Sequence, residues 1–531
     1  MILKPGRYID SEWNAIHKGQ QQGMLRVALC FPDIYEIGMS HLGMKILYGA
    51  LNREEDVFCE RVFAPWSDME RKMREENGAL RSLEGRTALK DFDVVGFSLQ
   101  YEMNCVDVLN MLDLGGIPVF SKDRDDTHPI VIAGGPCAFN PEPMAEFIDA
   151  FVIGEAEEAV LEIARAVKSE KCQVKGERDK VLKEISKIES VYVPRAPITD
   201  NRTTVKKRII KDLDSSYFPT DIIVPYIQIV HDRIGIEIMR GCPHKCKFCQ
   251  ACKIFHPLRI RSVKRILEIA EESVAGTGYE EISLLSLSTG DYPHLEELVA
   301  KIEERFKGMG VKISLPSLRA QSFKAQEDRT IIKRAGLTFA PETGSDRLRK
   351  TLNKNMTNQD IIQKSTQALR SGWKKVKLYF MIGLPGEEQD DLDAIIDMVG
   401  QIKSVSLSIS SFIPKPHSGF EREGMAGLEE LSEKKKYLGS MLRSLSSRRH
   451  IKAEFHDLET SRIEAVLSRG DRRVGQVIHA VWQKGARLQA WNEYFDCKLW
   501  EEGFRECGVD PDRYLRKAGE GEGLPWGFIK G

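Results

Sequence analysis

Short apolar runs recur along this chain, and each is followed by a stretch of helical period. In the first third they fall at residues 25–31 (L-R-V-A-L-C-F), 94–99 (V-V-G-F-S-L), 130–133 and 151–153, with helical stretches such as 44–51 between them. Continuous apolar runs of this length alternating with helices predict a parallel sheet covered on both faces. Past residue 226 the pattern starts again, with runs at 234–239, 282–285, 311–315, 337–340, 376–381 and 405–412 and amphipathic stretches such as 263–274 and 295–306 between them. Those six β-α units predict a partial barrel with its chemistry at the carboxyl ends of the strands. Residues 168–217 are charged and poorly periodic, which predicts a linker with a small strand pair. From residue 428 a basic helical pattern takes over, and aromatics recur at Trp482, Trp491, Tyr494, Phe495, Trp500 and Phe504. The reading is an α/β chain in four parts. It has a Rossmann-like domain at 1–165, a linker at 166–225, a partial (β/α)6 barrel at 226–425 and a small helical C-terminal domain at 426–531. Tryptophans in such a domain belong to its core, and the domain is expected to lie as a lid over the barrel mouth.

Composition narrows the class without naming a function. The 531 residues are 42% hydrophobic and 30% charged, with a formal net charge of -1. That balance gives no global attraction to nucleic acid or membrane. No apolar run approaches a membrane span, and M-I-L-K-P-G-R-Y lacks a signal-peptide core, so no membrane partner and a cytoplasmic location are expected. Eleven cysteines without a small-scaffold framework fit a reducing compartment.

Three of those cysteines change the picture. Residues 241–252 read G-C-P-H-K-C-K-F-C-Q-A-C, which sets Cys242, Cys246 and Cys249 at C-x3-C-x2-C spacing just after an apolar strand. A cubane [4Fe-4S] cluster has four iron corners. Three thiolates on one loop cap three corners and leave one iron open to a small chelating ligand, such as the amino and carboxylate groups of S-adenosylmethionine. One electron passed into the adjacent sulfonium then releases a 5′-deoxyadenosyl radical. Structural zinc is the competing reading: it wants four ligands, and Cys252 with His244 could complete such a site. A C-x-x-C redox pair would account for Cys246 and Cys249 but not for Cys242. Phe248, an aromatic just before the last cysteine, favours the cluster.

This loop resembles that of the radical S-adenosylmethionine superfamily. R-G-C-x-x-x-C-x-F-C-Q-A is similar to its cobalamin-binding-domain branch, within which a bacterial family is suspected, and the resemblance runs in order over nearly the whole chain. Cys252 departs from it, standing where a small residue is expected. By the same resemblance the N-terminal sheet is a cobalamin-binding domain whose strand-end loops line the corrin, the matching positions being Ser98, Leu99, Gly134 and Gly135. The D-x-H-x-x-G motif that gives cobalt a histidine is missing: Asp33 is followed by Ile34 and Tyr35, and His41 is out of register. Cobalamin is therefore expected without that histidine ligand, and a domain kept only as a scaffold is the alternative.

The remaining candidates stand at strand ends of the barrel. Ser288, Thr289, Gly290 and Asp291 resemble the stretch that receives the methionine amino group, with Asp291 as acceptor. Ser317 and Arg319, after residue 315, are expected to face a ribose or carboxylate. Glu342, in P-E-T-G-S, is the acid expected in the site, and Glu342 and Asp291 are the catalytic candidates. Met381 and Gly383, in M-I-G-L-P-G-E, resemble the segment that packs on adenine. The last strand ends I-P-K-P-H, similar to sulfur- and methyl-inserting RNA-modifying relatives, although Lys415 and His417 also suit a surface loop. The expected function is radical chemistry on an unactivated carbon, by cobalamin-dependent methylation or rearrangement. The alternatives are cobalamin-independent methylthiolation or methylation of tRNA or ribosomal components, and a non-catalytic metal-stabilised RNA-binding scaffold. Expected partners are a reductase or a flavodoxin or ferredoxin electron donor, a substrate the sequence does not name, and, in the alternatives, RNA or the ribosome.

Overall fold

The computed structural model describes residues 2–19, 23–173, 178–195, 204–316, 331–334, 336–446 and 449–531. Its first sheet has the order β2-β1-β3-β4-β5-β6. β1 (Leu25–Phe31), β2 (Val57–Phe63), β3 (Val94–Ser98), β4 (Ile130–Gly134) and β5 (Ala150–Val152) are parallel, while β6 (Val191–Tyr192) returns antiparallel to β5. α1 (Tyr35–Gly38) and α2 (Leu42–Asn52) follow β1, α3 (Ser67–Glu75) follows β2, and α4 (Cys105–Leu114) follows β3. α5 (Ala159–Gln173) and α6 (Arg178–Ile185) lie between β5 and β6. The order 2-1-3-4-5 is doubly wound, with its switch point between β1 and β3, where such sheets take ligands.

Strand β2 (V-F-C-E-R-V-F) went unread because two charges sit in its middle. Both are buried and matched by distant partners. Glu60 accepts from Arg26, Ser82 and the Gly85 N–H, and Arg61 lies between Glu12 and Glu84. The first unit also runs past the expected boundary at 165, because α5, α6 and β6 complete its sheet. Among the described residues of the expected linker, β7 (Val205–Lys206) stands apart from that sheet and pairs with the last strand of the chain.

The barrel is parallel throughout, in two stretches. β8 (Ile234–Glu237) is followed by a short antiparallel pair, β9 (Met239–Arg240) with β10 (Arg259–Ile260), around α7 (Ala251–Ile254). Then come α8 (Val263–Thr277), β11 (Glu281–Leu285), α9 (Leu295–Arg305) and β12 (Lys312–Ser314), giving the order β12-β11-β8. The second stretch contains β13 (Leu337–Glu342), α10 (Asp346–Thr351), α11 (Asn358–Arg370), β14 (Val376–Ile382), α12 (Gln389–Gly400), β15 (Ser404–Ser411), α13 (Leu428–Ser446) and β16 (His450–Phe455), in the order β13-β14-β15-β16. Its alternation is clean: along β15 the apolar Val405, Leu407 and Ile409 are buried and the serines between them are not.

The barrel therefore outruns its expected end at 425. Helix α13 packs on α12 and β14, and β16 adds a seventh parallel strand. This edge strand, H-I-K-A-E-F, carries Lys452 and Glu454 and reads as part of a charged helix until its pairing with β15 is seen.

The true C-terminal unit begins at α14 (Leu458–Arg469) and continues with α15 (Arg472–Gln483), α16 (Cys497–Glu506), α17 (Asp512–Leu515) and β17 (Ile529–Lys530). Asp457, Asp471 and Asp496 cap the first three helices by accepting from backbone N–H groups. These helices are not a lid over the barrel mouth. With α4 they form the helix layer on one face of the N-terminal sheet, where Val95, Phe97 and Val131 share a core with Val477, Ile478 and Trp500, the last 0% exposed. Helices α2, α5 and α6 cover the other face. Among the described residues, no helix is long and apolar enough to cross a membrane.

Candidate functional site

Gly241 starts the cysteine loop at φ 90, and a Cβ there would lie 2.8 Å from the carbonyl oxygens of Phe255 and Pro257, so only glycine fits. Beyond it, Cys242, Cys246, Cys249, His244 and Phe248 line a cavity of about 630 Å³. The same cavity is walled by Ser288 after β11, Ser314 and Pro316 at the end of β12, Ala340 and Glu342 on β13, and Tyr379 on β14. The cavity runs on to the amino ends of the strands, where Arg233, Glu281, Gly336 and Trp373 line it, so the three thiols of the loop stand at one end of a space that crosses the barrel. No disulfide joins the ten described cysteines.

The two side chains that a zinc site would recruit are engaged elsewhere. His244 Nε2 lies 2.7 Å from Asp291 Oδ2. Cys252 is buried on α7, with Sγ 3.0 Å from the Cys249 carbonyl oxygen and 3.6 Å from that of Cys246. The side-chain interaction between Cys252 and Cys249 is the largest cause that pulls the Cys249 thiol down to about 6 and pushes the Cys252 thiol up. The fourth cysteine thus favours the thiolate form of Cys249, and it is not among the residues that line the cavity.

Of the strand-end candidates, Ser288 and Glu342 face the cavity. Asp291 stands one step back, accepting from the Ser288 hydroxyl and bonded to His244. Thr289 turns inward: it is fully buried and its hydroxyl donates to the Leu284 carbonyl at 3.3 Å. Gly290 completes the 3-10 turn Thr289–Asp291 behind it. Glu342 has φ 69 in a break of strand register, and Lys354 Nζ lies 2.5 Å from its carboxylate and 5.7 Å from the Phe248 ring. It does not cap the next helix, since Ser345 does. A left-handed non-glycine residue at a strand end is a strained position of the kind that gathers at functional sites. Met381 and Gly383 lie outside this cavity. Met381 packs with Phe248 on a small core behind the loop. Gly383 is at φ 78, its N–H held 2.7 Å from Glu387, and a Cβ there would meet Leu431 at 2.8 Å. Ser317 and Arg319 lie outside the described residues.

A second cavity, of about 290 Å³, opens at the carboxyl ends of the N-terminal strands and runs down the sheet face between α2 and α5. Ser98, Gly134 and Gly135 line it, but Leu99 does not; that side chain is buried and its carbonyl oxygen accepts from the Cys137 N–H. Gly96 and Gly134 keep the floor open: added Cβ atoms would have no neighbour nearer than 3.5 Å and would project into the space. Its deep walls are apolar (Val27, Leu51, Ile163), and its mouth carries Ser98, Gln100 and His41. This shape accepts an apolar, flat group inside and hydrogen-bonding groups at the rim.

His41 is out of register for the cobalt-ligand motif, yet it lines this cavity. As the N-cap of α2, its Nδ1 accepts the Met44 N–H at 3.3 Å. A neutral ring with Nδ1 accepting carries its proton on Nε2. Burial pulls its pKa down to about 4, so the ring stays neutral. In this tautomer Nε2–H is a donor.

Arg240, just before the cysteine loop, ties the two cavities together. It lies 3.2 Å from Glu155, 2.7 Å from Glu157 and 2.8 Å from Glu237, and Arg259 joins Glu155 at 2.7 Å. The G-E-A-E-E run after β5 is thereby locked to the strand that carries the cysteines. The I-P-K-P-H segment is no surface loop. Lys415 bonds Glu102 and Glu464, and His417 Nε2 donates to the Phe139 carbonyl at 2.9 Å, which joins the barrel to the other two units.

Residues 43–194 match the family described as radical SAM proteins, N-terminal, and residues 236–399 match the radical SAM superfamily. Over 461 residues the chain is 30% identical to the uncharacterized protein MJ0966 of Methanocaldococcus jannaschii, covering 85% of this chain and 90% of that one. It is 23% identical over 260 residues to the tRNA-2-methylthio-N(6)-dimethylallyladenosine synthase of Petrotoga mobilis, or 46% of this chain and 58% of that one. Among solved structures it is similar to the radical S-adenosylmethionine methyltransferase TsrM from Kitasatospora setae with cobalamin and a [4Fe-4S] cluster bound. That likeness has 14% identity and a TM-score of 0.49 over 73% of this chain and 75% of that one.

Proposed function

The chain belongs to the radical S-adenosylmethionine superfamily, and on that premise we propose that this radical enzyme methylates an unactivated carbon with cobalamin as the methyl carrier. The observation that carries the proposal is the pair of cavities on either side of one short segment: Arg240 borders the apolar cavity and Cys242, two residues on, borders the other. A [4Fe-4S] cluster and S-adenosylmethionine supply a hydrogen-abstracting 5′-deoxyadenosyl radical, and a corrinoid supplies the methyl group.

In this reading Cys242, Cys246 and Cys249 hold the cluster. Ser288, whose hydroxyl donates to Asp291, stands on the cavity wall where this reading puts the methionine ammonium. Lys354 fixes Glu342 at the cavity wall, where its second oxygen can take a ribose hydroxyl. Ser98, Gln100 and the Nε2–H of His41 offer polar contacts to the rim of a corrin, and the slot floored by Gly96 takes its apolar arm. The RNA-modifying alternative has weaker support, since Lys415 and His417, its sequence signal, are turned inward. A cytoplasmic site of action, with its reducing conditions, fits an enzyme with these thiols.

The test is anaerobic reconstitution with iron, sulfide and hydroxocobalamin, desalting, and assay of 5′-deoxyadenosine after addition of a reductant and S-adenosylmethionine. Wild type is expected to retain corrin bands of a form without a histidine ligand, and His41→Ala to leave those bands where they are. Gly96→Leu, which fills the slot, is expected to lose at least about tenfold in retained corrin while still forming deoxyadenosine. Deoxyadenosine without corrin in the wild type would leave the N-terminal unit a scaffold.

Cys252→Ala gives an independent check on the loop. It is expected to keep the iron and the deoxyadenosine yield within about threefold, because the side chain is an outer hydrogen-bond donor, whose loss costs less than that of a ligand. The cluster's reduction potential is expected to move negative, since a donor to a ligating sulfur has been removed. Loss of the cluster in this variant would make Cys252 a ligand.

A further inference from the structure

Reduction of the cluster needs an electron from outside, and the loop's outer face differs in charge from the chain as a whole. Between Gly241 and Ile254 there are three lysines and no acidic residue, in a chain of net charge -1. Lys245 and Lys247 flank Cys246, and both are exposed. The end of α10 continues the same surface. Asn353 Nδ2 donates to the Lys245 carbonyl at 2.8 Å, the Lys247 N–H to the Leu352 carbonyl at 3.0 Å and the Asn353 N–H to the Lys350 carbonyl at 3.0 Å. Lys350 is exposed too.

The nearby carboxylates are occupied. Asp346 is held by Arg349 at 2.6 Å, Glu423 by Lys517 at 3.0 Å, and Glu421 accepts from Trp526 Nε1 at 2.8 Å and the His417 N–H at 2.9 Å. Among the described residues, no carboxylate pairs with Lys245, Lys247 or Lys350. Lys247 instead lies over the Phe420 ring at 5.9 Å. Three unneutralised ammonium groups around a redox centre make a local positive field on a nearly neutral protein, and such a field steers an oppositely charged partner.

We propose that Lys245, Lys247 and Lys350 form the docking face for a small acidic one-electron carrier protein, which delivers its electron to the cluster through the loop between Cys242 and Cys249. The inference rests on the cluster assignment above. In the step, one electron leaves the reduced carrier and lowers the cluster by one unit of charge; no bond forms or breaks.

The test follows cluster reduction by stopped flow, using reduced flavodoxin as the acidic carrier and reduced methyl viologen as a small cationic reductant that needs no docking face. For Lys245→Glu/Lys247→Glu/Lys350→Glu the second-order rate with flavodoxin at low salt is expected to fall about 10–100-fold, the range steering supplies. The wild-type rate is expected to drop as salt rises and the variant rate to lose that dependence. The viologen rate is expected not to fall, since a cation is not repelled by the added carboxylates. Lys247→Glu alone is expected to slow flavodoxin several-fold, whereas Lys307→Glu, past α9 at the amino ends of the strands, is expected not to. Wild-type flavodoxin rates and salt dependence in the triple variant would overturn the proposal, as would equal effects at Lys247 and Lys307. If charge reversal weakens cluster loading, the Gln triple variant is read instead, with a smaller loss in the same direction. Failure of viologen to reduce any cluster in the wild type would strike the cluster assignment itself.

Discussion

Alanine at any one of Cys242, Cys246 or Cys249 is expected to strip the cluster and bring 5′-deoxyadenosine formation to background. A loss above about a hundredfold is the least to expect, because losing only an outer partner of a metal ligand costs about 10–100-fold in affinity or activity. Two thiolates cannot hold three corners of a cubane, and the fourth cysteine is badly placed to substitute. Cys252 lies on the buried side of α7, with its sulfur turned to the carbonyl oxygens of Cys246 and Cys249. Iron and acid-labile sulfide per chain, the absorption spectrum and deoxyadenosine yield should fall together in all three variants. Retention of iron with cleavage in Cys249→Ala would mean that Cys252 rescues it, and retention in Cys242→Ala would disprove the three-ligand assignment. The corrin bands serve as a control for folding. Most of their cavity's lining comes from the N-terminal sheet and its helices, with Arg240, Ile254 and Phe255 completing it beside the loop, and none of the three cysteines lines it, so a cluster-free variant is expected to bind hydroxocobalamin still.

The cysteine loop was legible as a motif because its three thiols fall within eight residues, so their spacing leaves a purely local trace. Strands whose runs are mostly apolar, β1, β3, β4 and β11, were legible for a similar reason: burial on both faces leaves a purely local trace. Features that depend on remote partners were not. Strand β2 looks polar until Arg26, Glu12 and Glu84 are seen to neutralise Glu60 and Arg61. Edge strand β16 has one side in solvent, and its alternating Lys452 and Glu454 mimic a charged helix. The bond between His244 and Asp291 joins residues 47 apart in sequence, and no pattern announces it. Strand-end position also proved a coarse guide to what faces a cavity. Ser288 and Glu342 line it, while Thr289 turns to hold a backbone carbonyl and Met381 fills a core. A strand end fixes the neighbourhood of a side chain, whereas its direction depends on one turn of backbone that propensity does not determine.

Replacing Lys415 with methionine is expected to be the most destabilising single change at the junction of the three units, at about 2–3 kcal/mol. Its ammonium lies 2.7 Å from Glu102 and 2.8 Å from Glu464, which also accepts from the Tyr101 hydroxyl at 3.0 Å. Burial opposes the charge, yet the two carboxylates hold its pKa above the ordinary lysine value. Removing one partner of a fully buried pair costs about 3–5 kcal/mol, because the remaining charge stays desolvated. Here the side chains of Lys415, Glu102 and Glu464 keep 21%, 13% and 14% of their exposure, so solvent screens part of the loss. The pairing joins segments 313 residues apart, the loop after β15 and the turn after β3, and then α14. A chain of several units does not unfold in one step, so the readouts are the first thermal transition and amide exchange in the turn 102–104 and in α14. Both are expected to weaken in Lys415→Met, while β14, deep in the barrel, is expected to keep its protection. Adding Glu102→Gln and Glu464→Gln to Lys415→Met should restore most of the loss, since no charge is then left without a partner. Full stability in Lys415→Met, or no recovery in the triple variant, would show that packing of the I-P-K-P-H segment and not its charge holds the barrel to the other units.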